Sequence, residues 1–197
     1  MTWHFPRDAF ASGSRESPRK VESNRELESF LRGVATRAFR IARLSLRDDA
    51  DAFDAVQEAM IRLARRYGDR PADEWTPLFY AILRNCVNDE LRGRRSRGAL
   101  LDWIMRLGGT DSTDGEVAGM SQAPLQPARE FESEQRLREL DLAIRRLPAR
   151  QREAFLLRNV EELDVSATAR AMGCSEGSVK THYSRAVHAL RDLLGEP

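Results

Sequence analysis

Between Gly173 and Ala186 the chain reads GCSEGSVKTHYSRA. Glycine enters left-handed backbone at no steric cost, and Ser175 can cap a helix that begins just after it. Val179, Tyr183, Ala186, Leu190 and Leu193 recur at helical spacing and make that helix's inward face. Its outward positions are Ser175, Glu176, Ser178, Lys180, Thr181, Ser184 and Arg185. Lysine and arginine suit phosphate or guanine, a glutamate can accept from cytosine, and hydroxyls adapt. A short helix from about Val165 to Met172, capped by Asp164 or Ser166, precedes the turn. Together these residues have the layout of a helix-turn-helix, whose second helix enters the major groove.

A second cluster lies some 90 residues earlier. Arg84, Arg92, Arg94, Arg95 and Arg97 face only Asp89 and Glu90, a local net charge of +3. They share a helix with Asn85 and Asn88 and lie close to Trp75, Phe79 and Tyr80. Guanidinium groups follow phosphates, amides read exposed base edges and planar rings stack, so these residue types can hold a single strand. Trp75 and Phe79 also fall on an apolar stripe, where a core role competes with stacking.

Other chemistry has little support. No G-x-S-x-G, GxxxxGK[ST] or HExxH occurs, and the carboxylates are scattered along helix faces as solvated charge usually is. No catalytic residue, cofactor or small-molecule substrate is expected. The two cysteines, Cys86 and Cys174, are far apart and read as buried structural thiols, and His182 and His188 as surface residues, so no metal site is expected.

The elements that must position the two clusters are helical throughout. Residues 1–22 lack periodicity and read as a flexible arm, followed by a capping box at Ser23–Glu26. Leu27, Phe30, Leu31, Val34, Ala35, Ala38, Phe39 and Ala42 mark one face of a long helix. A second helix after Asp48-Asp49 turns Phe53, Val56, Met60, Leu63, Ala64 and Tyr67 inward. A third, from near Asp73, carries Trp75, Leu78, Phe79, Ile82, Cys86 and Val87. Residues 23–97 thus form one bundle. Residues 98–132, with GGTDSTDGE and two prolines, read as an acidic linker around the apolar patch Ala99–Met105. Residues 133–197 form a second domain, opening with Leu137, Leu140, Ile144 and Leu147 and containing the helix-turn-helix. The fold class is all-α, two small helical domains on a flexible linker. No apolar run approaches the ~18 residues of a membrane span, and no signal-peptide core is present, so membrane insertion is not expected and a cytoplasmic location is.

The order of motifs resembles that of bacterial RNA polymerase sigma factors. DAFDAVQEAMIRLARRY (51–67) is similar to the family's A-E-D-L-V-Q-E-x-F-L-R-x-W segment. LFYAILRNCVNDELRGRRSR (78–97) is similar to L-Y-x-I-A-x-N-x-x-x-D-x-x-R-x-x-x-R. RRLPARQREAFLLR and ATARAMGCSEGSVKTHYSRAVHALR resemble the L-P-x-x-x-R and E-I-A-x-x-L-G-x-S-x-G-T-V-K segments. Two domains without further insertions point to the extracytoplasmic-function (ECF) group. The resemblance implies that Asp51, Asp54, Gln57, Glu58 and Arg62 bind core polymerase, on the coiled coil of its largest subunit, in a complex with the beta and beta-prime subunits. It implies that Asn85, Asn88, Asp89, Arg92, Arg94 and Arg95 melt and hold the −10 promoter element, while the last helix reads the −35 element. It further implies initiation at a specific, stress- or envelope-related regulon, and an anti-sigma factor of the kind that commonly holds ECF proteins.

Departures from the pattern fall at Phe53, Pro77, Ala167-Thr168-Ala169, Cys174, His182 and Tyr183. The competing reading is a stand-alone regulator of the response-regulator type, whose SxxSVKTH region is similar. It requires an α/β first half with alternating strands, which the helical pattern of residues 23–97 does not offer.

Overall fold

The computed structural model of the chain describes residues 18–46, 48–108 and 128–195, with side chains over 22–46, 48–94 and 135–195. Among the described residues every regular element is a helix: α1 (Pro18–Ser45), α2 (Asp49–Tyr67), α3 (Ala72–Gly108), α4 (Ala128–Arg146), α5 (Ala149–Asn159), α6 (Val165–Met172) and α7 (Glu176–Leu194). The all-α expectation holds, with shifted boundaries. Helix α1 starts at Pro18, so Ser23 and Glu26 sit inside it and are not its cap. Proline suits a first helical turn, where its missing N–H has no intrahelical partner. Helix α3 continues eleven residues past Arg97, so the backbone of the Ala99–Met105 patch extends it. Most of the expected linker, 109–127, and residues 1–17 of the expected arm lie outside the described residues.

The first bundle follows the apolar stripes. Leu27, Leu31, Val34, Ala35, Ala38 and Ala42 of α1 are buried. Asp48 caps α2 by accepting from the Ala50 and Asp51 amides. The buried face of α2 is rich in alanine (Ala52, Ala55, Ala59, with Val56, Met60 and Leu63), which lets neighbouring helices approach closely. Phe53, expected inward, is only half-buried. On α3, Phe79 is fully buried and meets Phe30 and Tyr80 edge-on, with centroids 6.2 and 5.2 Å away. Trp75 is buried too and closes the α2–α3 corner, its indole N–H donating to the Tyr67 carbonyl at 3.2 Å. These rings form core, so the stacking platform is not there.

The second half is built around caps. The Asp164 carboxylate accepts from the Ala167 amide and starts α6. Gly173 ends it at φ 60°, ψ 46°, a left-handed conformation that favours glycine. Ser175 then caps α7 by accepting from the Ser178 amide at 3.2 Å. The buried faces of α4 and α7 are shorter than their apolar periods. They span Ala143 and Ile144 on α4, with Leu147 just past its end, and Val179, Ala186 and Leu190 on α7. Leu137 and Leu193, expected inward, are 63% and 42% exposed because they lie beyond those stretches.

The two halves pack on each other. Tyr80, Leu83 and Val87 of α3 share one continuous core with Leu157 of α5 and Ala169, Ala171 and Met172 of α6. A second cluster joins Leu44 of α1 to Ile144, Leu147, Leu156 and Leu190. Phe79→Ala would empty the centre of the first bundle, and such truncations cost about 3–5 kcal/mol. Urea denaturation should show a loss in that range, and a loss below about 1 kcal/mol would place the core elsewhere.

Candidate nucleic-acid interface

Helix geometry sorts the candidate residues onto faces. Asp51, Asp54, Gln57, Glu58 and Arg62 lie at offsets of 0, 3, 6, 7 and 11 along α2, giving one broad face of about three turns. Asp54 and Glu58 are exposed and the other three half-buried. The Arg62 Nε donates to Glu58 at 2.6 Å, an i,i+4 pair that lifts the guanidinium's proton affinity further. This α2 face meets α3 in a groove of about 320 Å³ lined by Asp54, Gln57, Glu58, Arg62, Asp89 and Glu90.

On α3, Asn85, Asn88, Asp89 and Arg92 fall at offsets of 0, 3, 4 and 7, and all four are exposed. Buried Cys86 and Val87 anchor the helix behind them, and burial pushes the Cys86 thiol up. Arg84 Nη2 donates to the Asn85 amide oxygen at 3.3 Å. Arg92 reaches Asp89 at 3.5 Å with both side chains largely in solvent, a contact weak enough to yield to a phosphate. Arg94 is different. Nine residues beyond Asn85, it stands half a turn off the stripe and pairs with Asp51 of α2. One candidate for strand holding and one for polymerase docking are therefore bonded to each other. The side chain of Arg95 lies outside the described residues.

On α7 the hydroxyls are partly spent on the helix itself. Ser175 and Ser178 are 2.9 Å apart and share the cap, and Thr181 donates to the Gly177 carbonyl at 2.9 Å. Glu176, Lys180, Ser184 and Arg185 stay exposed, and the first three follow one another at i,i+4 along a single edge. Tyr183, a departure from the family pattern, turns inward. Its ring stacks on Phe155 at 6.4 Å and 16°, the Arg158 guanidinium lies 6.0 Å from its centroid, and its hydroxyl donates to Asn159. It braces α7 on α5 and does not face a groove. Thr168, another departure, is fully buried with its hydroxyl donating to the Asp164 carbonyl at 2.7 Å.

Several arginines that periodicity does not single out hold the second half together. Arg152, in the L-P-x-x-x-R position, donates to the Arg145 carbonyl at 3.1 Å and so satisfies the end of α4. Arg150 donates to Glu153 and, at 3.0 Å, to the Met172 carbonyl beside the turn. Burial pushes the Glu153 carboxyl up and the Arg152 guanidinium down. Among the described residues no cluster of His, Cys, Asp and Glu could hold a metal, and Cys86 and Cys174 form no disulfide. No helix among them is long and apolar enough to cross a membrane.

Comparison with known proteins adds the decisive observation. Residues 22–97 match the family Sigma-70 region 2, and residues 137–190 match Sigma-70, region 4. The chain is 31% identical over 165 residues to the ECF RNA polymerase sigma factor EcfG of Rhodopseudomonas palustris, covering 82% of this chain and 81% of that protein. The chain belongs to the ECF sigma factors. It is also 33% identical to BldN of Streptomyces coelicolor, an ECF sigma factor, over 74% of its own length and 51% of that of BldN, so it spans about half of that relative. Among solved structures it is similar to the sigma factor RpoE of Bartonella quintana in complex with the anti-sigma factor NepR. That likeness has a TM-score of 0.59 and 25% identity, covering 88% of this chain and 97% of the other. CnrH bound to the cytosolic domain of CnrY shares the fold, with a TM-score of 0.56 at 18% identity.

Because Tyr183 packs inward while Lys180 faces out, the two should separate on substitution. Tyr183→Ala should lower the melting temperature by several degrees, corresponding to about 1–3 kcal/mol, whereas Lys180→Ala should leave it within about a degree. Equal shifts in thermal unfolding would contradict this sorting of the faces.

Proposed function

We propose that this sigma factor docks on core RNA polymerase through the α2 face, holds the opened −10 strand on the exposed stripe of α3, and reads the −35 duplex with α7. The observation that carries the reading is the pairing, in one chain, of two readers with different chemistry. One is a stripe of amides and arginine on a rigid, core-anchored helix, suited to exposed bases and phosphates. The other is a helix whose capped N-terminus follows a left-handed glycine turn and presents Lys180 and Arg185, suited to a major groove. Residues 23–97 serve as the docking and −10 domain, and residues 133–197 as the −35 domain. Its place of work is the cytoplasm, with the polymerase. An anti-sigma factor is a further partner, in keeping with the NepR complex of the similar RpoE. The response-regulator reading is not favoured: the first half is helical and matches Sigma-70 region 2.

Purified chain added to core polymerase should give promoter-specific transcription on a genomic template library. No stimulation at any promoter would sink the assignment. The two readers should also fail separately. Lys180→Ala or Arg185→Ala should weaken binding of −35 duplex with core affinity unchanged, each lowering the salt slope by about one phosphate contact. Arg92→Ala should leave the closed complex intact and reduce permanganate reactivity of the −10 thymines. Loss of core binding in the α7 variants would refute this division.

A further inference from the structure

Helix α6 is the platform from which α7 is aimed, and it has little side-chain bulk with which to hold its own position. Ala167, Ala169 and Ala171 bury only methyl groups, and Met172 is the one long side chain among its buried residues. Thr168 stands where the family pattern has isoleucine, and its hydroxyl is spent on the Asp164 carbonyl. Small side chains make shallow ridges, so they fix the rotation and slide of a helix less firmly than large ones.

Two arginines of α5 supply that hold from opposite ends. Arg150, in the first turn of α5, donates from Nη1 to the Met172 carbonyl at 3.0 Å, at the end of α6 and beside the left-handed Gly173. A cation on the last carbonyls of a helix also complements its dipole. The same nitrogen donates to the Glu153 carboxylate at 2.9 Å, and Glu153, whose side chain is mostly buried one turn further along α5, keeps the guanidinium aimed. Arg158, near the other end of α5, donates to the Leu163 carbonyl, just before the Asp164 cap that starts α6. Its guanidinium also lies 6.0 Å from the centre of the Tyr183 ring, so it reaches α7 as well. The spacing fits the task. An offset of eight residues from Arg150 to Arg158 is a rise of about 12 Å, which is also about the length of the eight-residue α6.

We infer that Arg150 and Arg158 are positioning residues of the −35 reader: by holding both ends of α6 on α5 they set the angle at which α7 meets the major groove, without themselves reading bases. The inference rests on the assignment of α7 to the −35 element above. An arginine that sets an angle and one that binds a phosphate leave different signatures. A phosphate contact adds to the binding of any duplex and to its salt dependence. Aim matters only to base contacts, which need side chains within hydrogen-bond distance of particular edges.

The full chain with core polymerase is compared on two duplexes: the −35 sequence that the unaltered holoenzyme selects from a randomised pool, and the same duplex with that sequence scrambled. Arg150→Ala and Arg158→Ala should each lower the ratio of the two affinities by on the order of tenfold, the worth of one well-aimed base contact. Affinity for the scrambled duplex, the salt slope and core affinity should stay as they were. Arg150→Lys, which keeps a cationic donor beside Met172, should restore most of the ratio. Arg150→Met, which keeps the apolar stem, takes the place of the alanine variant if that one loses helical content by circular dichroism. An unchanged ratio in folded variants would overturn the inference. So would weaker binding of both duplexes with a salt slope lower by about one, which would make the arginine a phosphate contact. A second readout is independent of DNA. Between spin labels at Arg170 on α6 and Arg191 on α7, both exposed, with Cys86 and Cys174 replaced by alanine, the distance distribution of the free chain should widen in Arg150→Ala. If the unaltered holoenzyme selects no sequence from the pool, the −35 assignment fails, and that width still decides whether the arginines hold α6.

Discussion

Three surroundings compete for one helix, and the rest of the molecule follows from how α3 divides its circumference among them. Trp75, Phe79 and Cys86 face α1 and α2 and build the first bundle. Tyr80, Leu83 and Val87 face the second half, where they share a core with Leu157, Ala169, Ala171 and Met172. Asn85, Asn88, Asp89 and Arg92 face solvent. A domain of about 60–75 residues is marginal on its own, because small chains bury a smaller share of their surface. Sharing α3 gives both halves more core while leaving one polar stripe exposed.

That sharing also explains which features the residues alone revealed. Features fixed by local chemistry were legible: the caps at Asp164 and Ser175, the left-handed Gly173, and the stripe of α1 from Leu27 to Ala42. Contacts between distant segments were not. A single apolar period on α3 picks out Trp75 and Phe79 but leaves Tyr80 and Leu83 unaccounted for, because their partners lie some 75–90 residues further along. Arg84 reads as one more arginine in a basic helix until the Ala171 carbonyl is seen beside it. Leu137 and Leu193 show the opposite error, in which periodicity runs on past the stretch that a neighbour covers.

Of the candidate contacts, the stripe on α3 and the edge of α7 emerge as continuous exposed surfaces, whereas Arg94 and Asp51 neutralise each other across the α2–α3 boundary. Tyr183 illustrates why a departure from a family pattern is not by itself a change of specificity. Its ring braces α7 on Phe155, while Glu176, Lys180, Ser184 and Arg185 stay exposed. Cohesion between the halves comes from mixed contacts: apolar surface, the Arg84–Ala171 hydrogen bond and the Arg37–Glu161 and Arg43–Asp141 pairs.

The central claim is that one chain places two readers on two separate promoter elements. It is tested most directly by the distance between spin labels at Arg66 on α2 and Arg191 on α7, both exposed, with Cys86 and Cys174 replaced by alanine. Pulsed dipolar spectroscopy should give a short distance for the free chain. In the complex with core polymerase and promoter the distance should be longer by on the order of 50 Å, because elements about 25 base pairs apart are separated by about 85 Å of B-form duplex. The same short distance in both states would contradict the account.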